Sequence, residues 1–378
     1  MKVLHVIPSL SRLRGGPSFV VRTLASHQAR AGVEVHVATT DDDDRGRQNV
    51  PLGTPVESDG ATYWYFGRTT RAYGSSIGLT SWLLRHTAEF DVVHIHSVFT
   101  YPATVAAGIA HRKSVPYVVR PLGVLNRFGL CSGRAWAKRL SIRLIESGIL
   151  RRAAAVQFAS ATERAESEQA CPLTRPVVIP NPVDLAPPAR RSAIAGRPTV
   201  LFVGRLDPVK GIDILLDAFA MVHARNPRAH LVVAGSGDPA YELSLRQRAE
   251  NLGVVDSVLW KGFLDKPAKA AAFADASVCV APSRSESFGL AAVEALAAGV
   301  PTVLTSGVAI AAEAANAGAA LTVPPDASSL AYAIERILGD AELASGLALR
   351  ARTFVSRYRP DAIATQLIAL YAEIGSCS

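Results

Sequence analysis

Two carboxylates and two cations carry most of the chemistry legible in this chain. Glu286 and Glu294 stand eight residues apart in the stretch from Ser285 to Gly299, and Arg205 and Lys210 stand about eighty residues upstream in Gly204-Arg205-Leu206-Asp207-Pro208-Val209-Lys210-Gly211. A carboxylate accepts bidentate hydrogen bonds, so a pair of them suits the adjacent hydroxyls of a ribose or hexose. Arginine offers a planar fork and lysine a movable point charge, and both suit phosphate. A nucleotide-diphosphate sugar presents those two chemistries side by side.

These groups need elements to position them. The stretch from Gly289 to Ala298 is rich in helix formers and is stopped by Gly299 and Pro301. Ser285, Glu286, Ser287 and Phe288 therefore form the loop entering a helix. The N–H groups of Phe288, Gly289 and Leu290 point out of its N-terminus, where an anion or sugar oxygen is welcome. Glu294 sits a turn and a half inside. Upstream, Thr199–Val203 reads as an apolar strand and Ile212–Val222 as an amphipathic helix. Arg205 and Lys210 then lie on the turn at the carboxyl end of a strand, where open α/β sheets bind ligands. Capping residues and solvated cations are the bland alternatives. They fit poorly, because Glu294 lies among alanines, leucines and a valine.

Other candidates are weaker. Gly15-Gly16-Pro17 closes the loop after a first strand, where glycine lets backbone approach a ligand, or simply makes a tight turn. His94 and His96 share the face opposite Ile95 at a strand end; they read as core histidines, site groups or metal ligands. Arg120 ends another strand, and with Arg127 it suits a phosphate on an acceptor, although an ordinary ion pair is nearly as good a reading. The run Asp41–Asp44 reads as a solvated acidic loop rather than a cation site.

Strand-like and helix-like segments alternate along the whole chain, which argues parallel sheets with helices on both faces. The length of 378 residues suggests two domains. A segment rich in proline and charge around residues 180–197 reads as the linker. The expected fold class is α/β, with two Rossmann-like, doubly wound parallel-sheet domains. The boundaries are 1–185, 190–356 and a helix over 357–378 that packs back on the first domain.

The net charge of +8 is unevenly placed: the first 185 residues carry 22 Lys and Arg against 14 Asp and Glu, and the rest is balanced. Ten cations and one anion, Glu146, fall between Arg112 and Arg152. Ala135–Leu150 reads as an amphipathic helix with Trp136, Leu140, Leu144 and Ile149 on one side. That pattern suits an anionic membrane surface, an anionic acceptor or a solvated basic face. Nucleic acid is not expected, since no recognisable binding motif accompanies the charge. Four cysteines without C-x-x-C spacing suggest a reducing compartment and no zinc site. The N-terminus reads as a strand rather than a signal segment, and no transmembrane stretch is evident. A cytoplasmic protein, peripheral at most on the inner face of the membrane, is the expectation.

The ordered set of motifs resembles the retaining GT-B glycosyltransferases grouped as family 4, over nearly the whole chain. It runs from Gly15-Gly16-Pro17 through Asp91-Val92-Val93-His94-Ile95-His96 and Ile179-Pro180-Asn181-Pro182-Val183-Asp184. It continues with the Arg205/Lys210 motif, Val233-Ala234-Gly235-Ser236-Gly237-Asp238 and the two glutamates. The resemblance implies two domains facing a cleft and metal-independent transfer, without a cofactor, of a hexosyl group from a nucleotide-sugar donor. The acceptor would be a lipid-linked or saccharide precursor in envelope or exopolysaccharide synthesis. It implies that Arg205, Lys210, Glu286 and His96 act in catalysis. Gly15, Gly16, Gly204, Phe263, Ser287, Phe288, Gly289, Leu290 and Glu294 would bind the donor, and Arg120 and Arg127 the acceptor, although the Arg120 segment departs from the family's usual pattern. Alternatives are another GT-B activity, such as an epimerase or phosphorylase, or a non-catalytic sugar-nucleotide module. A nicotinamide dehydrogenase is disfavoured because Gly235-Ser236-Gly237 lacks the third glycine of its fingerprint.

Overall fold

A computed structural model describes residues 1–11, 15–43, 46–70, 73–131, 135–184 and 197–376. The chain divides into two compact units. Unit 1 comprises Met1–Pro182 with Pro360–Ser378, and unit 2 comprises Val183–Arg359. Most of the 180–197 segment lies outside the described residues.

Unit 1 is built on eight strands: β1 (Lys2–Ser9), β2 (Glu34–Thr40), β3 (Pro55–Ser58), β4 (Ala61–Phe66), β5 (Val92–His96), β6 (Tyr117–Arg120), β7 (Ala155–Phe158) and β8 (Pro176–Val178). Their order is β3-β4-β2-β1-β5-β6-β7-β8. All pairs are parallel except β3 with β4. Alternation along β1 sends Leu4 and Val6 into an apolar layer with Val93, Ile95, Val119 and Leu83. His5 points to the opposite face. There the helices Gly16–Arg30 and Pro360–Gly375 pack against each other.

Unit 2 is built on six parallel strands: β9 (Thr199–Val203), β10 (His230–Ala234), β11 (Val258–Gly262), β12 (Val278–Ala281), β13 (Thr302–Thr305) and β14 (Leu321–Val323). They run in the order β11-β10-β9-β12-β13-β14. Val200 and Phe202 of β9 join one apolar cluster with Leu215, Phe219 and Ile334. Leu201 joins another with Phe273, Cys279 and Ala295 on the other face. A strand buried on both faces explains the unbroken apolar run that marks it in the sequence.

Each sheet reverses its winding once. The reversal lies between β1 and β5 in unit 1 and between β9 and β12 in unit 2. Crevices at the carboxyl ends of the strands flanking such a reversal are where doubly wound sheets hold ligands.

The basic segment departs from the expected single helix. It comprises a helix over Ala135–Ser141, a π-helical turn over Ile142–Glu146 and a helix over Ser147–Arg152. Trp136, Leu140 and Leu144 are exposed, whereas Leu150 is fully buried. The acidic run is also not a solvated loop. Asp41 and Asp42 are buried. Asp42 pairs with Arg68, and Asp41 accepts a hydrogen bond from the Arg68 N–H at 2.7 Å. Asp44 lies outside the described residues. No helix among the described residues is long and apolar enough to cross a membrane.

Candidate active site

The reversal in unit 2 brings the two sequence motifs together. After β9 the chain makes a 3₁₀ turn over Pro208–Lys210, capped by the Asp207 carboxylate accepting from the Val209 N–H at 3.0 Å. After β12 it reaches Glu286, whose backbone is pinned by two bonds. Its N–H donates to the Gly307 carbonyl at 2.8 Å, and its own carbonyl accepts from Ala309 at 2.9 Å. The Lys210 ammonium donates directly to Glu286 Oε2 across the reversal. The two groups expected to touch the diphosphate and the sugar are thus first neighbours, although 76 residues separate them in sequence.

Arg205 is mostly exposed and lies 3.1 Å from the Asp207 carboxylate. Burial, and secondarily the charge of Arg205, push the Lys210 ammonium down to about 8; Asp207 opposes the shift. The helix Leu290–Ala297 starts at Gly289, which has φ 92°. A Cβ there would lie 2.8 Å from Val308 Cγ1, so glycine is required both by backbone angle and by space. The first N–H groups of that helix lack intrahelical acceptors. Phe288 is buried and stands edge-on against Tyr358, so it anchors the loop and only its main chain can serve a ligand. Ser287 lies in the same loop. Gly204 continues β9 and donates to the Ala234 carbonyl at 3.0 Å. Phe263 follows β11 and is exposed.

Two partners were not legible in the sequence. Lys269, on the helix Lys266–Asp275, donates to Glu294 Oε1 at 2.6 Å. Arg284 grips Asp213 with two bonds of 2.8 and 2.6 Å and also donates to the Pro208 carbonyl at 2.7 Å. Arg284 therefore ties the Lys210 turn to the Glu286 loop. Neither carries a local signal, because each partner lies more than twenty residues away.

In unit 1 two of the expected site residues, His96 and Arg120, prove to be interior. His96 is fully buried, and its Nε2 lies 2.8 Å from His5 Nδ1. His5 Nε2 meets Gln28 Oε1 at 2.8 Å, and His94 Nδ1 meets the Tyr371 hydroxyl at 2.6 Å. Of the readings open for His96, the structure matches the core histidine: the ring belongs to a buried network closed by the helix Pro360–Gly375. All three imidazoles are held neutral, first by burial; Arg120 adds to this at each, and neighbouring rings do so at His94 and His96. They form a close cluster, but both nitrogens of His5 are engaged and a buried guanidinium lies nearby, which disfavours a cation. Arg120 is likewise buried, bonded to Asn181 Oδ1 and influenced by Glu163. It does not reach a surface as an acceptor contact would. Arg127 opens a short helix, Arg127–Cys131, and its side chain lies outside the described residues. Gly15 (φ 71°) and Gly16 sit at the N-terminus of the helix Gly16–Arg30, and no described residue comes within 4 Å of a Cβ built on Gly15.

Comparison with known proteins places these motifs in a lineage. Residues 189–354 match the family described as glycosyl transferases group 1. Residues 15–182 match the glycosyl transferase 4-like domain. The D-inositol 3-phosphate glycosyltransferase of Jonesia denitrificans is 31% identical over 311 residues, covering 76% of this chain and 72% of that protein. The phosphatidyl-myo-inositol mannosyltransferase of Mycobacterium leprae is 28% identical, covering 93% and 95%. The solved structure of Anabaena HepE in complex with UDP-glucose superposes with a TM-score of 0.80 at 21% identity, over 99% of this chain and all of that one.

Proposed function

Because the chain belongs to the glycosyl transferases group 1 family, with two α/β domains of the GT-B type, and is a glycosyltransferase, we propose that it moves a hexosyl group from a nucleotide-diphosphate sugar. Anomeric configuration is retained, and the acceptor is a lipid-linked or saccharide hydroxyl. The observation that carries this reading is the Lys210–Glu286 pair at the sheet reversal. Lys210, with Arg205 beside it, meets the charge that develops on the leaving diphosphate, where preorganised electrostatics count most. Glu286 releases Lys210 to the diphosphate and takes sugar hydroxyls. Glu294, steadied by Lys269, takes the ribose, and the nucleobase lies along the main chain near Phe263. That HepE binds UDP-glucose, and that relatives act on inositol phosphates and phosphatidylinositol, supports the donor and acceptor classes. The test is to incubate the protein with UDP-glucose and with GDP-mannose, each with phosphatidylinositol or inositol phosphate as acceptor, follow nucleotide release with and without EDTA, and read the anomer of the glycoside product by NMR. An axial donor bond should yield an axial product bond, and EDTA should leave the rate unchanged. An inverted product, or failure of every nucleotide sugar to bind, would sink the reading.

An anionic membrane is the proposed partner of residues 135–152. Trp136 is 72% and Leu144 69% exposed, with Leu140 and Ile145 alongside and Arg139 and Arg143 interleaved. Apolar side chains held in water beside cations suit the boundary between headgroups and acyl chains, and each cation adds about 1 kcal/mol near an anionic surface. The protein should sediment with phosphatidylglycerol liposomes at low salt and less so at high salt. Trp136→Ala and the pair Arg139→Ala/Arg143→Ala should each weaken sedimentation. A wild-type protein that ignores such liposomes at low salt rules the membrane out.

A further inference from the structure

Cross-strand register gathers three imidazoles and a guanidinium on one face of the unit 1 sheet. His5 on β1 stands opposite His94 on β5, and His96 stands opposite Arg120 on β6. The three imidazoles are fully buried and Arg120 nearly so. The rings of His94 and His96 stack with their centroids 4.1 Å apart.

Hydrogen bonding fixes where each proton sits. Gln28 Oε1 can only accept, so His5 Nε2, 2.8 Å away, donates to it. A neutral His5 then keeps its lone pair on Nδ1, which accepts from His96 Nε2 at 2.8 Å. Gln28 Nε2 donates to the Tyr371 hydroxyl oxygen at 3.4 Å, and that hydroxyl donates to His94 Nδ1 at 2.6 Å. The chain of bonds therefore needs every ring neutral and protonated at Nε2.

The cluster has no place for another proton. The Nδ1 atoms of His5 and His94 already accept, so a proton on either sets donor against donor. His96 Nδ1 is buried without a partner among the described residues, but the Arg120 guanidinium acts on it, with Nε and Nη1 likewise unpartnered. No acid offsets the charge. Gln28 and Gln157 are neutral, and Glu163 accepts from the Ala159 and Gly123 N–H groups and acts on Arg120 instead. Other charged groups of the packed helices bond elsewhere: Arg22 to Tyr65, His27 to the Thr23 carbonyl and Glu373 to Arg175. Burial, the largest cause, accordingly holds His5 down to about 4 and keeps His94 and His96 well below their usual value. The helix Pro360–Gly375 covers this face and supplies Tyr371. It adds no strand, and the chain reaches it only through Arg359 at the end of unit 2. It can lift without breaking the sheet.

We propose that the helix Pro360–Gly375 is an acid-sensitive latch, closed on unit 1 while the three rings are neutral and opened as they take up protons, with Tyr371 as its catch. The proposal is independent of the transferase reading. An imidazole wetted by opening regains its ordinary pKa of about 6.5. The closed state then binds fewer protons than the open one, so closure is fully present above about pH 6.5 and is lost as pH falls below it.

Hydrogen exchange on the full chain tests this, with rates corrected for their intrinsic pH dependence and the histidine-free helix Ala327–Gly339 as reference. Between about pH 7.5 and about pH 5.5, each imidazole wetted by opening raises the opening constant about tenfold. The helix Pro360–Gly375 should therefore open about 10²–10³-fold more often at the lower pH, while the reference helix changes little. The variant His94→Asn/His96→Gln keeps an acceptor facing Tyr371 and a donor facing His5, but removes two titrating rings. It should be as protected as the wild type at about pH 7.5 and show a rise of about tenfold or less. Nitrogen NMR of the wild-type chain at about pH 7.5 should find all three rings neutral with Nε2 protonated. A wild-type rise below about tenfold, an equal rise in the variant, or an imidazolium or Nδ1-protonated form at any of the three rings overturns the latch. Should the double variant fail to fold, the single substitutions carry the same test: each should cut the rise about tenfold, and an undiminished rise in both overturns the proposal.

Discussion

Replacing Lys210 by alanine should lower sugar transfer by about 10²–10³-fold, the usual cost of removing one preorganised charge contact from a transition state. The fold should survive, because Lys210 sits on a turn and its ammonium bonds to the Glu286 carboxylate rather than to a core element. Glu286→Gln should lose activity on a similar scale while melting normally, since the amide keeps the size of the side chain. The wild-type enzyme should also show an alkaline limb. The active form of Lys210 is the protonated one, and its pKa is lowered to about 8, mainly by burial. Donor kcat/KM, which reports the free enzyme, should therefore fall as pH rises through about 8. A bound diphosphate favours the ammonium, so the limb in kcat should lie higher. Lys210→Arg should abolish the limb, because guanidinium stays protonated across this range. Steady-state rates against pH decide the matter. Near-normal turnover in Lys210→Ala, or the same limb in Lys210→Arg, would show that another group carries the charge.

The second large effect is steric. Gly211 follows Lys210 with φ 68° and ψ 28°, and a Cβ on it would stand 2.1 Å from the Pro282 carbonyl oxygen. That oxygen belongs to backbone just after β12 and cannot swing aside. Gly211→Ala carries about 1–2 kcal/mol for a left-handed alanine and about 1–3 kcal/mol for overpacking. Because the Lys210 turn must move away from the Glu286 loop, stability and transfer should fall together, with the unit 2 melting transition lowered by roughly 5–15 °C. Gly253→Ala is the control. Gly253, also in unit 2, has nearly the same φ, 71°, but among the described residues nothing lies within 4 Å of its would-be Cβ, so only the conformational cost of about 1 kcal/mol applies. Calorimetry on both variants separates the two contributions, and equal melting would refute the steric account.

The elements that position the proposed donor site were readable because their signals are local. β9 and β4 match their apolar or β-branched runs residue for residue, and the Leu290–Ala297 helix announces itself by its alanines and its glycine stop. β3 was missed: it is a four-residue, proline-started edge strand that owes its state to antiparallel pairing with β4. The π turn at Ile142–Glu146 was missed because nothing local says that Glu146 must turn inward to hold Phe99. The same holds for Asp41 and Asp42, which look solvated in a run of four aspartates and are buried because Arg68 and Arg47 come to meet them. Lys269 and Arg284 are invisible for the same reason, being defined by partners on other elements. His96 shows the converse error. Its place at a strand end was read correctly, but a fully buried network with His5 and Gln28 depends on which helix covers that face.

The split of unit 1 has a consequence for synthesis. Unit 2 is an insertion: the N–H of Val183, where the chain enters it, donates at 2.9 Å to the carbonyl of Tyr358, where the chain leaves it. Unit 2 is therefore contiguous and closed upon itself once residue 359 has left the ribosome. Unit 1 begins first and finishes last. Its strands are made early, but the face bearing His5, His94 and Gln28 waits for Tyr371 to arrive. Until then the nascent chain carries a completed unit 2 within an unfinished host, and the order of translation is the reverse of the order of completion.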